Sequence, residues 1–260
     1  MNLKRPQDID VMREAAVINR HALEAVEMAI EPGITTLELN RIAENAILHA
    51  GGRPAFKGYR GFPATLCTSV NENVVHGIPD DRALRDGDIV SIDVGTFYEG
   101  FAADMAKTYA VGTIPEDVQR LLDVTERSLY AGIEQMRPGN RIGDVSAAIQ
   151  DVIEEAGFWV IREFVGHGIG REFHEAPDVP NYGRRGTREV LRPGLVLAIE
   201  PMVAMTQTPV IVLDDGWTAP TENGSLSAHF EHTVAITDDG AEVLTAKETM
   251  NTSEGEKRGA

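Results

Sequence analysis

Apolar residues recur at helical spacing from the start of the chain. Val11, Ala15, Ile18, Ala22 and Val26 lie three or four positions apart and predict a helix over residues 8–30, stopped by Glu31-Pro32-Gly33. Thr35 and Glu38 are spaced as a capping box, so a second helix is expected through Leu39, Ile42, Ala46 and Ile47 as far as Gly51-Gly52. The period then shortens. Apolar and β-branched runs predict strands at 65–70, 88–94 and 101–111. Two further helical patterns follow at 116–136 and 142–156, and strands return at 195–204, 210–213 and 229–237. The mixture places the chain in the α/β (α+β) class. Residues 251–260, NTSEGEKRGA, are too polar to bury and are expected to be a disordered tail, leaving 1–250 as one domain.

The pattern repeats. EPGITTLELNRIAENAILHAGG (31–52) and RPGNRIGDVSAAIQDVIEEAGF (137–158) share a Pro-Gly start, a helix and an Ala-Gly end at an offset of 106, and DGDIVSID (86–93) resembles PGLVLAIE (193–200) at an offset of 107. Two segments in order with nearly one offset predict two pseudo-symmetric halves. Asp93 and Glu200 then occupy matching strand ends and converge on a central cleft.

SIDVGTFYEGFAAD (91–104) reads as a hairpin. Centred between Tyr98 and Glu99, it would pair residues whose numbers sum to 197 and set Asp93 directly opposite Asp104. Opposed side chains have Cβ atoms roughly 5 Å apart, where two like charges destabilise a sheet unless something neutralises them.

Composition narrows what that something is. A net charge of -17 argues against a surface that binds DNA or an anionic membrane. The single cysteine, Cys67, excludes an intrachain disulfide, and MNLKRPQDID lacks the apolar core of a signal peptide, which suits a reducing cytoplasm. No apolar window approaches the roughly 18 residues of a membrane span.

FVGHGIGREFHEAP (164–177) frames His167 with glycines and carries His174 seven residues on. Glu200 and Glu231 sit inside apolar strand patterns where unpaired glutamates are rarely buried. Asp93, Asp104, Glu200 and Glu231 together bring four negative charges, which two divalent cations balance, with His167 as a neutral ligand. Dinuclear hydrolases hold ions about 3.5–4 Å apart on bridging carboxylates. The donor set suits Mn, Fe(II), Co or Zn.

These motifs, with LAIEPM and FEHTVAIT, resemble the type I methionine aminopeptidases of the pita-bread fold, in the M24 metallopeptidase family, from about residue 5 to 248. The resemblance implies that a central antiparallel sheet is covered by helices, that Asp104 and Glu231 bridge two ions, that Asp93 completes one, and that His167 and Glu200 complete the other. It implies that Glu200 also accepts a proton as metal-activated water attacks the first peptide bond. His174 would then stabilise the developing oxyanion, and His76, from VNENVVHGIP, would contact the substrate amide. Tyr59, Phe62, Cys67, Phe173 and Trp217 match the family's methionine pocket, which makes Cys67 a packing group. The substrates implied are nascent polypeptides with a free N-terminal amine and a small second residue, processed by a cytoplasmic monomer. Proline-specific peptidases of the same fold carry an extra N-terminal domain, for which the roughly 90 residues before Asp93 leave no room. A noncatalytic, ribosome-associated relative would lose ligands, and none is missing. The basic loop of Arg184, Arg185 and Arg188 is the candidate ribosomal contact.

Overall fold

The computed structural model describes residues 1–247, so the expected tail at 251–260 lies outside the described residues. The chain runs twice through a helix, helix, strands order. The first pass is α1 (Pro6–Glu27), α2 (Thr36–His49), β1 (Arg53–Pro54), β2 (Leu66–Val70), β3 (Asn73–Val75), β4 (Ile89–Tyr98) and β5 (Phe101–Ala110). The second is α3 (Glu116–Glu134), α4 (Ile142–Glu155), β6 (Trp159–Val160), β7 (Gly166–Gly168), β8 (Glu175–Val179), β9 (Val196–Ile199), β10 (Met202–Ala204) and β11 (Ala219–Pro220). β12 (Ser227–His229), β13 (Glu231–Thr237) and β14 (Gly240–Val243) close the fold. No helix among the described residues is long and apolar enough to cross a membrane.

Nine strands form one antiparallel sheet in the order β1-β4-β5-β13-β9-β7-β8, with β2 on β4 and β14 on β13. Thus β13 is the seam, pairing with β5 of the first half on one side and β9 of the second on the other. The pseudo-symmetry extends to single hydrogen bonds. Gly33 N–H donates to the Leu84 carbonyl and Gly139 N–H to that of Leu191, while Leu84 N–H returns to Ile34 and Leu191 N–H to Asn140. Gly33 and Gly139 both adopt positive φ, at 103° and 93°, where a side chain would be strained. Both second helices start with an acidic side chain that accepts from the N–H of the residue before the helix, Glu38 from Thr35 and Asp144 from Arg141, and in α2 the Thr35 hydroxyl also accepts from Glu38 N–H.

Helices cover one face of the sheet. Val90, Ile92 and Val94 of β4 join an apolar cluster with Ile18, Leu23 and Leu39 of α1 and α2. Leu197 and Ile199 of β9 and Val234 and Ile236 of β13 join Leu121, Leu129 and Ile149 of α3 and α4. Asn19, fully buried on α1, fastens the first layer: its Nδ2 donates to the Val94 carbonyl and its Oδ1 accepts from Thr96 Oγ1, each at 2.7 Å.

Four expectations need correction. The hairpin turns on Glu99 and Gly100, both at positive φ, so pairs sum to 199: Asp93 faces Ala106 and Asp104 faces Gly95. The two aspartates are therefore diagonal neighbours. The expected strand 195–204 divides at Glu200-Pro201 into β9 and β10, which belong to different sheets, because proline has no N–H to donate to a ladder. Segment 229–237 likewise breaks at Phe230. The expected strand 210–213 is an exposed loop with one bridge, Val210 to Thr221; its apolar residues Ile211, Val212 and Leu213 face solvent.

Candidate metal centre and cleft

Strand pleating decides which side chains reach the cleft. Because Val90, Ile92 and Val94 face the helices, Asp93 faces away from them. Because Leu197 and Ile199 face α3 and α4, Glu200 emerges on the opposite side, and because His232, Val234 and Ile236 face the helices, so does Glu231. Asp104 is anchored by a two-way clasp across the seam: its N–H donates to Thr233 Oγ1 at 2.9 Å, and that hydroxyl donates to the Asp104 carbonyl at 2.8 Å. His167 lies on β7 beside Ala198 of β9. Its glycine frame is a packing requirement, since a Cβ on Gly166 would lie 2.4 Å from the Ala198 carbonyl oxygen and one on Gly168 2.7 Å from that of Ala176.

All five side chains line one cavity of about 170 Å³. His167 Nδ1 donates to the Gly168 carbonyl at 2.8 Å, which leaves Nε2 without a proton, 3.9 Å from Asp104 Oδ2 and 3.6 Å from Glu200 Oε1. Burial lowers its pKa to about 4, so the ring is neutral. Burial raises the pKa of Asp93. Burial and then mutual repulsion raise those of Asp104, Glu200 and Glu231 well above the carboxylate range. Asp93 Oδ1, Asp104 Oδ1 and Glu231 Oε1 are buried without a hydrogen-bond partner among the described residues.

Such a set fits cations better than it fits protons. Ligating atoms of Asp104, His167 and Glu231 lie within 4.8 Å of one another, as do those of Glu200, His229 and Glu231. Asp93 belongs to neither triplet but shares the cavity. His229 escaped the sequence reading. The signal was its spacing of two from Glu231 in HFEHT.

The cavity continues into an apolar wall. Phe62 and Trp217 meet edge to face with ring centroids 5.1 Å apart, and Tyr59 meets Phe173 at 5.7 Å. Cys67 sits opposite Asp93 in the ladder, and burial followed by the nearby carboxylates raises its pKa, so its thiol stays protonated and packs. Trp217 arrives from the exposed loop, positioned by an Asp215 carboxylate that accepts the N–H groups of Trp217 and Thr218. Phe56, Val75, Phe164 and Val165 complete the wall and were not anticipated, although Phe164 opens the very motif that contains His167.

Two histidines stand at the mouth. His76 takes φ 60°, a left-handed conformation uncommon for its residue type, and its ring meets Phe164 and Trp217 edge on. Burial lowers its pKa. His174 stacks on Tyr59, whose hydroxyl lies 3.0 Å from its Nδ1, and its centroid is 4.1 Å from that of His167. Partial enclosure, then His167, lowers its pKa as well. The basic loop lies elsewhere: Arg185 pairs with Asp151 of α4 at 2.6 Å.

A family model described as "Metallopeptidase family M24" matches residues 10–238. A methionine aminopeptidase of Clostridium perfringens is 52% identical over 94% of this chain and 98% of its own, and methionine aminopeptidase 1 of Bacillus subtilis is 49% identical over 93% and 98%. Among solved structures, methionine aminopeptidase from Thermotoga maritima superposes with a TM-score of 0.93 at 47% identity, over 95% of this chain and 100% of that one. The prolidase from Pyrococcus furiosus superposes less closely, with a TM-score of 0.78 at 25% identity, over 95% of this chain and 66% of that one.

Proposed function

This chain belongs to metallopeptidase family M24, and we propose that it works as a methionine aminopeptidase, hydrolysing the first peptide bond of chains that start with methionine and continue with a small residue. The observation that carries this assignment is one cavity in which four carboxylates, two of them buried and two half-buried, and a neutral imidazole adjoin an aromatic wall. Two divalent cations, held by Asp93, Asp104, His167, Glu200 and Glu231, would supply Lewis acidity and a water of lowered pKa.

The chain's own residues do the rest. The methionine side chain enters between Tyr59, Phe62, Cys67, Phe173 and Trp217, where each buried methylene contributes about 0.8 kcal/mol and the thioether meets aromatic edges. The free amine lies against Asp93, so an acylated terminus loses its charge partner. Glu200 takes the proton of the attacking water on a carboxylate oxygen and returns it to the departing amine. With the Tyr59 hydroxyl donating to Nδ1, His174 carries its proton on Nε2 and donates to the scissile carbonyl oxygen. His76 contacts the amide on the far side, and the two rings restrict the second residue to a small one. Nascent chains in the cytoplasm are the substrates this chemistry serves.

The test is release of methionine from a Met-Ala-Ser peptide before and after chelation, with a Xaa-Pro dipeptide in parallel. Methionine release that stops with chelator and returns with Mn, Fe(II), Co or Zn is the expected result. Activity indifferent to chelation, or preferred cleavage of the Xaa-Pro dipeptide, overturns the assignment.

A further inference from the structure

The steps above give His229 no task, although it is only 2% exposed and its Nε2 has no hydrogen-bond partner among the described residues. Its backbone is held tightly. The Thr108 hydroxyl accepts from His229 N–H at 2.8 Å and lies 2.9 Å from the His229 carbonyl, and β12 pairs His229 with Met202, two residues past Glu200. The ring is thereby delivered to the back of the carboxylate cluster. Nε2 stands 3.8 Å from Glu200 Oε2 and 3.9 Å from Glu231 Oε2. The other oxygen of Glu200, Oε1, faces His167 Nε2 at 3.6 Å. Glu200 is thus flanked by an imidazole on each oxygen.

Two roles fit such a placement, that of ligand to a further cation and that of hydrogen-bond donor. Charge decides between them. The four carboxylates are already balanced by two divalent cations, and a third beside His229 would leave two positive charges uncompensated in a buried site. What the imidazole can still offer is an N–H, and ligating carboxylates are commonly held by such donors.

We propose that His229 is a positioning residue: its Nε2–H is shared between Glu200 Oε2 and Glu231 Oε2, directly after a small side-chain rotation or through one water, and turns Oε1 of Glu200 toward the cation side. The inference rests on the metal centre of the preceding section. The separations exceed a direct hydrogen bond, which is why a rotation or a bridging water is part of the proposal.

The test uses the full chain with His229→Gln, whose amide N–H can still donate, and His229→Leu, which cannot. Binding of Mn(II) is measured by titration calorimetry, kcat and KM on Met-Ala-Ser are measured alongside, and coordinated imidazoles are counted by pulsed EPR of the Mn(II)-loaded protein. The leucine variant should bind Mn(II) about 10- to 100-fold more weakly, with kcat falling more than KM changes, while the glutamine variant stays within about threefold of the parent on this same scale. One coordinated imidazole, from His167, is expected. His229→Asn, too short to reach either Oε2, replaces the leucine variant if that one does not fold. Unchanged Mn(II) affinity in His229→Leu, an equal loss in His229→Gln, or two coordinated imidazoles overturns the positioning role while leaving the metal centre intact. A parent protein that binds no Mn(II) overturns both.

Discussion

Asp104 and Glu231 each bury a carboxylate whose pKa is driven up first by desolvation and then by the neighbouring carboxylates, so under the proposed metal centre each would serve cation binding at the expense of the metal-free fold. Asp104→Asn and Glu231→Gln keep shape and remove one charge. With metal present, turnover of Met-Ala-Ser should fall by more than about two orders of magnitude and cation affinity should weaken. In chelator the sign reverses. A carboxylate whose folded pKa lies above its unfolded value costs stability once pH passes the unfolded value, so at neutral pH the metal-free Asp104→Asn protein should melt no lower than metal-free wild type. A lower melting temperature would mean that Asp104 is a structural residue. His232 makes the contrasting case on the helix-facing side, where its ring nitrogens meet the Tyr130 hydroxyl at 3.1 Å and Thr245 Oγ1 at 2.8 Å. Burial, then Lys107, lowers its pKa to about 4. A depressed histidine contributes stability above its unfolded pKa of roughly 6.5 that is lost as pH falls through the folded value, on the order of 3 kcal/mol. Thermal melts between pH 7 and pH 4 should therefore fall less steeply in His232→Gln than in wild type, and parallel curves would show that His232 does not titrate in this range.

At the scale of elements, helices were legible because their apolar periodicity runs for several turns: the expected 8–30, 116–136 and 142–156 correspond to Pro6–Glu27, Glu116–Glu134 and Ile142–Glu155. Strands of two or three residues, such as Trp159–Val160 and Gly166–Gly168, carry no period to read. The β4–β5 register was misplaced because it depends on which two residues accept positive φ. Glu99 at 45° and Gly100 at 80° form the turn, and glycine favours the second central position, which moves the centre one residue on from the point between Tyr98 and Glu99. The error shifts every pair by two residues, and a shift of two preserves the face. Asp93 and Asp104 therefore both reached the cleft even though the pairing assigned to them was wrong. Candidate ligands were legible as charged residues at cleft-facing positions of apolar strands, whereas His229 sat beyond the break at Phe230, on a strand of a different sheet. The turn itself yields a prediction. Asparagine tolerates the left-handed region better than glutamate by a fraction of a kcal/mol, and Glu99 is exposed, so Glu99→Asn should raise the melting temperature by roughly 1–3 °C with activity unchanged. A decrease would indicate that the glutamate side chain makes a stabilising contact.

For the whole molecule, the decisive fact is where the candidate ligands come from. Asp93 and Asp104 belong to the first half, His167 and Glu200 to the second, and Glu231 opens the seam strand β13. On the β5 side that seam is short, consisting of the pairs Glu231 with Ala106 and His232 with Met105. Four carboxylates repel one another across this junction when no cation is bound, and cations held there, as proposed, would tie both halves to the same strand. Metal binding should accordingly act as a clamp on the fold as well as an element of the reaction. A ligand present at 100 times its dissociation constant stabilises the folded state by about 2.7 kcal/mol, and in a chain of this size each kcal/mol is worth roughly 2–4 °C. Chelation should lower the melting temperature by about 5–10 °C, and amide exchange should accelerate most in residues 101–110 and 231–237, with little change in α1 and α2. Both effects should shrink in Asp104→Asn, which has one fewer charge to hold a cation and one fewer to repel its neighbours. An equal acceleration throughout the chain on chelation would show that the cations stabilise the molecule globally without acting at the seam, and an unchanged melting temperature would show that the two halves are held by the sheet alone.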